Sequence, residues 1–393
     1  MATGGIRQAL VFGNGRSGKA AAELLRREGA AVTVLDGADA FPADVSAVDL
    51  CVTSPGIALT HPWQQAARAQ GLRVVSELQL GAVRWRAAGG RMLAVTGSKG
   101  KSSVVKLVAD ALGGVPCGNY GLPLCELVNT TAGGTDPLPW AVVEVSSFQL
   151  ETTELPADAF VAVALLNLQE DHLDRHGSAA VYHGLKRHLL GMAVTAVDAS
   201  DPACPVPAGA DALLAGSYFD NAVLRTNGRC AVALLRAAGL ADAAIARAFA
   251  GFVPLAHRMQ LVAETDGVQW VDDSKATSLA ALGAGVTMCA RPVRLIAGGL
   301  PKGDNPFSVI PLLLNRVKTV YLIGCCADQF FAAWQNAVPC ERCGTLDRAV
   351  AAARRDAVSG EVVLLSPGTA SFDQFKSYGA RGDAFAALVC AGA

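Results

Sequence analysis

Residues 94–103 read AVTGSKGKSS, an apolar strand end that breaks into a glycine turn carrying two lysines and two serines. The turn Gly97-Ser98-Lys99-Gly100-Lys101-Ser102 precedes the helical run VVKLVADAL, the context that a phosphate loop needs. There the backbone N–H groups and the positive end of a helix meet an anion, Lys101 adds a mobile charge, and Ser102 can ligand Mg²⁺. The full GxxxxGK[ST] pattern wants a glycine where this chain has Val95, so an ordinary strand-to-helix turn with exposed lysines is the competing reading. Glu144 ends the apolar run WAVVEV, where a carboxylate facing a core is costly unless it binds a cation or pairs with a base. LLNLQEDHLDRH then sets Asp171, His172 and Asp174 just past another strand-like run, with Lys186 following in a helical segment. One carboxylate and one imidazole near a phosphate loop suit Mg²⁺, although a DHxD segment alone is more often surface polarity.

A second glycine loop, Gly13-Asn-Gly15-Arg-Ser-Gly18, follows ALVF and leads to AVTVLD ending at Asp36. That spacing matches a dinucleotide fingerprint, but any tight strand-to-helix turn wants such glycines. A nicotinamide or flavin oxidoreductase built on it would leave TGSKGKSS, DHLD and DSKAT without a purpose.

Placing these groups requires a scaffold. Strand-like runs (ALVFG, AVTVLD, RMLAVTG, WAVVEVSS, FVAVALLNL, VQWVDDS, VRLIAGG, TVYLIG, VVLLSPG) alternate with alanine-rich helical stretches, which predicts an α/β protein with parallel sheets. The chain has 393 residues, long for one core, and falls into three blocks: 1–90, 91–256 and 257–393. Val194–Asn221, rich in Pro, Ala and Asp, is expected to be an irregular connection. Hydrophobic residues make up 52% of the chain, yet no apolar run reaches the roughly 18 to 20 residues of a membrane span. The start carries no export signal, so a cytoplasmic location and no membrane partner are expected. Eleven scattered cysteines, including the lone Cys340-Glu-Arg-Cys343, fit reduced packing thiols. A net charge of −1 with dispersed basic residues leaves no footprint for nucleic acid, and nothing signals an oligomer, so a monomer is expected.

Taken in order, TGSKGKSS, the strand-end Glu144, Asn167-Leu-Gln-Glu-Asp171-His172-Leu-Asp174 and the later Lys186 resemble the Mur ligase family, the ATP-dependent amide-forming enzymes of peptidoglycan assembly. Further segments resemble the branch of that family that adds D-glutamate to UDP-N-acetylmuramoyl-L-alanine: SPGIAL at Ser54–Leu59, SSFQLETT at Ser146–Thr153, DSKAT at Asp273–Thr277, and SPGTASFDQFKSYGARG from Ser366. The resemblance implies three domains: a Rossmann-like one that binds the UDP-sugar, a central P-loop ATPase-like parallel sheet, and a Rossmann-like third that binds the amino acid. It also implies ATP and Mg²⁺ as cofactors.

Residue by residue, it places the ATP phosphates on Gly97, Ser98, Lys99, Gly100, Lys101, Ser102 and Ser103, with Asn227, Arg258 and Asp273 as further ATP contacts. Lys101, Glu144, His172 and Lys186 become the catalytic set. Ser102, Glu144, His172 and a carbamylated Lys186 become the metal ligands. Ser54, Gly56, Asn119 and Ser146 are implied to hold the UDP-sugar peptide, and Thr277, Lys302, Ser371 and Tyr378 the incoming D-glutamate. The implied chemistry is phosphorylation of a carboxylate by ATP, followed by attack of an amine on the acyl phosphate.

The chain also departs from the family pattern. Val223-Leu224-Arg-Thr-Asn227 replaces HN-x-x-N and keeps only the last asparagine, and Gly37 and Ala38 stand where relatives clamp uracil. The stretch between Lys186 and Asn227 is short, Lys99 replaces a common asparagine, and Tyr378 replaces phenylalanine. A ligase for another amino acid such as L-glutamate, or a relative with little activity, is the alternative reading.

Overall fold

A computed structural model of the chain describes residues 5–131 and 137–391, in three sheets. Strands β1 (Gln8–Phe12), β2 (Ala31–Leu35), β3 (Leu50–Thr53) and β4 (Val74–Ser76) form the first, in parallel order β2-β1-β3-β4. Strands β5 (Met92–Thr96), β6 (Val115–Gly118), β7 (Ala141–Glu144), β8 (Phe160–Leu165) and β9 (Ala193–Asp198) form the second, also parallel, in order β6-β7-β5-β8-β9. Its central strands, mostly Val, Leu and Ala, are buried apart from the partly exposed Val161, as in sheets covered on both faces.

The third sheet holds β10 (Gln260–Thr265), β11 (Val268–Asp272), β12 (Val293–Gly298), β13 (Val317–Ile323), β14 (Cys340–Gly344) and β15 (Val362–Leu365), in order β10-β11-β15-β12-β13-β14. It corrects the all-parallel expectation, because β10 runs antiparallel to β11. The cause is the Asp266-Gly267 turn, whose φ values of 54° and 75° give a tight two-residue hairpin. The irregular stretch expected over Val194–Asn221 also needs correcting: it opens within β9 and contains the helix Ala210–Leu214. β9 is a half-exposed edge strand, and so it lacks the continuous apolar run that marks β5, β7 and β8. All eleven cysteines are free, and no described helix is long and apolar enough to cross a membrane.

The chain divides into two compact units: Met1–Asp220 with Leu224–Phe252, and Asn221–Val223 with Val253–Ala393. The first unit holds both all-parallel sheets, joined by the packed helices Glu77–Ala87 and Leu124–Thr131. These helices approach so closely that a Cβ on Gly81 would sit 2.9 Å from the Cys125 nitrogen. Glu77, 1% exposed, accepts the Cys125 N–H on Oε1 at 2.7 Å and so caps the second helix, while its Oε2 has no partner. Arg16, in the first glycine loop, donates to the Gly121 carbonyl at 2.9 Å and pairs with Glu126 at 3.1 Å.

Burial pushes the Glu77 carboxyl up to about 7 from its ordinary 4.5, against the lowering effect of the Cys125 N–H. Between these two values the folded chain binds more protons at this site than the unfolded chain does. Stability contributed by Glu77 therefore falls as pH rises from 4.5 to 7. Glu77→Gln, which keeps the cap and cannot ionise, is expected to flatten that fall. Urea midpoints at pH 5 and pH 8 would measure it, and an unchanged pH dependence would contradict the assignment.

Candidate active site

β5 delivers the chain into the glycine loop at the carboxyl end of the second sheet, where parallel α/β sheets bind ligands. Gly97 has φ 148°, and Gly100 has φ 84° as the cap of the helix Lys101–Leu112. Space as well as φ demands glycine at 100, because a Cβ there would lie 2.1 Å from Nδ2 of Asn227. Lys101 folds back and donates from Nζ to the carbonyls of Gly97 at 2.8 Å and Ser98 at 3.2 Å. Ser102 and Ser103 are buried in the first turn of the helix.

The loop is clamped from β8. The Asn167 carbonyl accepts the Ser98 N–H at 3.0 Å, its Oδ1 accepts the Lys99 N–H at 2.9 Å, and its Nδ2 donates to the Lys99 carbonyl at 3.0 Å. Ser98 Oγ donates to the Gln169 carbonyl and accepts the Gln169 N–H, and it receives the Tyr182 hydroxyl at 3.2 Å. The Lys99 ammonium reaches Asp171 at 3.5 Å.

One strand over, Glu144 lies in register with Val95 and is 2% exposed. Asn119 Nδ2 donates to its Oε1 at 2.6 Å, whereas its Oε2 is buried without a hydrogen-bond partner. Lys186, 1% exposed on the helix Ala179–His188, holds its Nζ 4.7 Å from the centre of the Tyr182 ring. Burial lowers the Lys186 amine to about 7; Lys101 adds to the effect, and Asp171 and Glu144 oppose it. Among the described residues no three His, Cys, Asp or Glu side chains gather as a metal-binding group. The free Oε2 of Glu144 is nevertheless the hard oxygen that a divalent cation would complete. His172 stands in the left-handed region at φ 52°, half exposed, with its ring 4.8 Å from Phe148.

The UDP-sugar residues expected from the sequence divide by environment. Ser54 is buried against the first glycine loop, donating to the Gly13 carbonyl at 3.4 Å, and Gly56 is exposed beside it with open space around its Cα. Ser146 caps the helix Ser147–Leu150 in a reciprocal box with Gln149, so its hydroxyl already has a structural task.

The remaining candidates belong to the second unit, at the carboxyl ends of β11, β12 and β15. Arg258 lies between two residues in left-handed conformation, His257 at φ 60° and Met259 at φ 47°, and its Nε is buried without a partner. Asp273 accepts from Ser366 Oγ at 2.8 Å and from the Met259 N–H at 3.4 Å, and burial pushes its carboxyl up to about 7. Lys302 reaches Thr277 Oγ1 at 3.4 Å, and the Tyr378 hydroxyl meets Lys275 at 3.1 Å. Ser371 is buried beside the Thr369 and Ala370 carbonyls that Arg381 binds.

Several residues that organise these sites were not singled out from the sequence. Tyr182 bonds Ser98 in the glycine loop, and Asn167, named in the sequence only as the start of the Asn167–Asp174 segment, clamps that loop. His257 pairs with Asp272 at 2.7 Å, and the buried Arg381 joins Ser274 at 2.9 Å to the strand-end carbonyls. The available signals were an asparagine directly after an apolar strand, a tyrosine one helical turn before Lys186, and the His257-Arg258 pair.

Two measurements follow. The Lys99 amide bonds to the Asn167 side chain, so Asn167→Ala should raise its hydrogen-exchange rate by about tenfold, the equivalent of one lost bond; unchanged protection would refute the clamp. Lys186 binds fewer protons in the folded chain than in the unfolded one between pH 7 and 10.5, so its contribution to stability rises across that window. Lys186→Met should remove the rise, and a stability curve of unchanged slope would contradict the burial of the amine.

The family model of the Mur ligase middle domain matches residues 95–198, the span from the loop strand through β9. The UDP-N-acetylmuramoylalanine–D-glutamate ligase of Nitratidesulfovibrio vulgaris is 37% identical over 436 aligned positions, covering 98% of each chain. Among solved structures, UDP-N-acetylmuramate-alanine ligase from Thermotoga maritima shares the fold with a TM-score of 0.57 at 13% identity, over 99% of this chain and 100% of that one. The Yersinia pestis folylpolyglutamate synthase/dihydrofolate synthase, solved with AMPPNP and manganese, gives 0.53 at 16% identity over 79% of this chain and 92% of that one. With the glycine loop, the strand-end carboxylate and the buried lysine all inside the matched span, and near-complete coverage at 37% identity, this chain belongs to the Mur ligase family.

Proposed function

We propose that this chain joins D-glutamate to UDP-N-acetylmuramoyl-L-alanine, using ATP and passing through an acyl phosphate, as a cytoplasmic monomer in which each sheet serves as one domain. The observation that carries the reading is the buried, half-satisfied Glu144 one strand from the glycine loop that Lys101 closes. Support comes from the full-length relative, named for this reaction, and from the fold relative that holds AMPPNP and manganese.

The loop Gly97–Ser103 and the N-terminal end of the helix Lys101–Leu112 receive the nucleotide phosphates. Lys101 then exchanges the Gly97 and Ser98 carbonyls for phosphate oxygens. Ser102, Glu144, His172 and a carbamate on Lys186 would hold Mg²⁺, which supplies positive charge to the transferring phosphoryl group. That charge matters because two anions at about 4 Å repel by several kcal/mol even at an effective dielectric near 20. Lys186 suits carbamylation, since the neutral amine is the form that attacks CO₂ and this one is half neutral near pH 7. Ser54, Gly56 and Asn119 hold the UDP-sugar peptide, with Ser146 fixing the helix beside it. Asn227, Arg258 and Asp273 contact the nucleotide, and Thr277, Lys302, Ser371 and Tyr378 hold the amino acid.

Phosphate release with UDP-N-acetylmuramoyl-L-alanine should require D-glutamate and fail with L-glutamate. The opposite preference would reassign the amino acid, and no release with any amino acid would end the ligase reading. Lys101→Ala and Glu144→Ala should each lower the rate by at least about a hundredfold without changing the thermal melt. Lys186→Ala should be rescued in part by a short carboxylic acid, and indifference to both the mutation and bicarbonate would make Lys186 a purely structural residue.

A further inference from the structure

We propose that Arg175 is a positioning residue through which occupancy of the Ser54–Leu59 loop is felt at His172; the inference rests on the ligase reading above. The Arg175 guanidinium joins three segments that are far apart in sequence. Its Nε donates to Glu151 Oε1 at 2.9 Å and its Nη2 to Glu151 Oε2 at 2.7 Å, a two-point pair on the SSFQLETT segment. The same Nη2 donates to the carbonyls of Pro55 at 3.3 Å and Ile57 at 3.1 Å, inside the SPGIAL loop after β3. The face of the guanidinium lies 4.9 Å over the Phe148 ring. Both partners are sheltered, with side-chain exposures of 15% for Arg175 and 5% for Glu151, so solvent screens the pair weakly.

Arg175 is fixed to His172 by the backbone. The N–H groups of Arg175 and His176 both donate to the His172 carbonyl, at 3.1 and 3.0 Å, closing one short turn. Through that turn His172 is held in its left-handed conformation, which is strained for a residue other than glycine and persists only where neighbours impose it. His176 braces the turn from below, with Nε2 3.0 Å from Ser147 Oγ and Nδ1 3.4 Å from Glu151. The Phe148 ring touches both ends of the arrangement, 4.8 Å from the His172 ring and under the guanidinium.

The carbonyls of Pro55 and Ile57 therefore share with Glu151 one donor carried by the segment that presents His172. A ligand that settles the loop also settles the guanidinium and, through it, the turn. By reciprocity, a metal-nucleotide that draws on His172 should tighten the loop. Lysine cannot replace the fork, because one ammonium does not span a carboxylate and two carbonyls in a fixed plane.

The test is calorimetric. Dissociation constants for Mg²⁺–AMPPNP are measured with and without saturating UDP-N-acetylmuramoyl-L-alanine, for the full chain and for Arg175→Ala, Arg175→Lys and Glu151→Gln. The unaltered chain should bind the nucleotide at least about fivefold more tightly when the UDP-sugar is present. Arg175→Ala should bring that ratio close to one while each ligand alone binds within about threefold of its original affinity, and Arg175→Lys should lose most of the ratio. If the alanine variant does not fold, the lysine and Glu151→Gln variants decide by the same ratio. Coupling retained in the variants, or absent from the unaltered chain although both ligands bind, overturns the role of Arg175 alone. Failure of the unaltered chain to bind either ligand overturns the ligase reading, and this inference with it.

Discussion

A carboxylate placed at the end of a fully buried parallel strand must be answered by donors or by a cation, or it costs several kcal/mol. Glu144 is half answered: Asn119 takes one oxygen, and the other has no hydrogen-bond partner. The nearby basic group, Lys186, cannot be relied on as a counter-charge, because burial has brought its amine down to about 7. The site thus contains a buried carboxylate with one unpartnered oxygen, a lysine whose amine burial lowers to about 7, and a glycine loop at the N-terminus of a helix. The proposed divalent cation carried by a polyphosphate would answer all three at once, since it would complete the carboxylate, tolerate a neutral or carbamylated lysine, and bring phosphate to the loop.

The scaffold makes this arrangement possible through strand order. With β5 between β7 and β8, the loop after β5 is flanked by Glu144 from one neighbour and by Asn167 to Asp171 from the other. Asn167 then fixes the loop by pairing with both the N–H and the carbonyl of Lys99. The first sheet contributes through the loops that follow its strands: Arg16, in the loop after β1, reaches the Gly121 carbonyl in the loop that bears Asn119, and the SPGIAL carbonyls after β3 accept from Arg175. In the second unit the same logic recurs, with Asp273, Lys302 and Ser371 all following the carboxyl ends of neighbouring parallel strands.

Much of this was legible in the sequence because it is local. The TGSKGKSS loop follows its strand directly, Glu144 announces itself as a charge in an apolar run, and the long Val and Leu stretches mark strands buried on both faces. Features set by partners distant in the chain were not legible. β9 needs β8 to look like a strand, and the Asp266-Gly267 hairpin was a readable signal overshadowed by the expectation of parallel sheets. The glycine at 100 is demanded by Asn227, more than a hundred positions away, as well as by the turn itself. Arg175 drew no reading from the sequence; its meaning lies in two carbonyls of a loop about 120 residues earlier. His257 and Arg381 likewise owe their roles to Asp272 and Ser274, which only folding brings near.

The most direct test of the central claim is a crystal structure of the chain soaked with AMPPNP and Mn²⁺, with data collected at the manganese absorption edge. The account predicts an anomalous peak within coordination distance of Glu144 Oε2, and phosphate density against the loop Gly97–Ser103 at the N-terminus of the helix Lys101–Leu112. An empty loop, or manganese bound elsewhere while Glu144 Oε2 stays unpartnered, would contradict it.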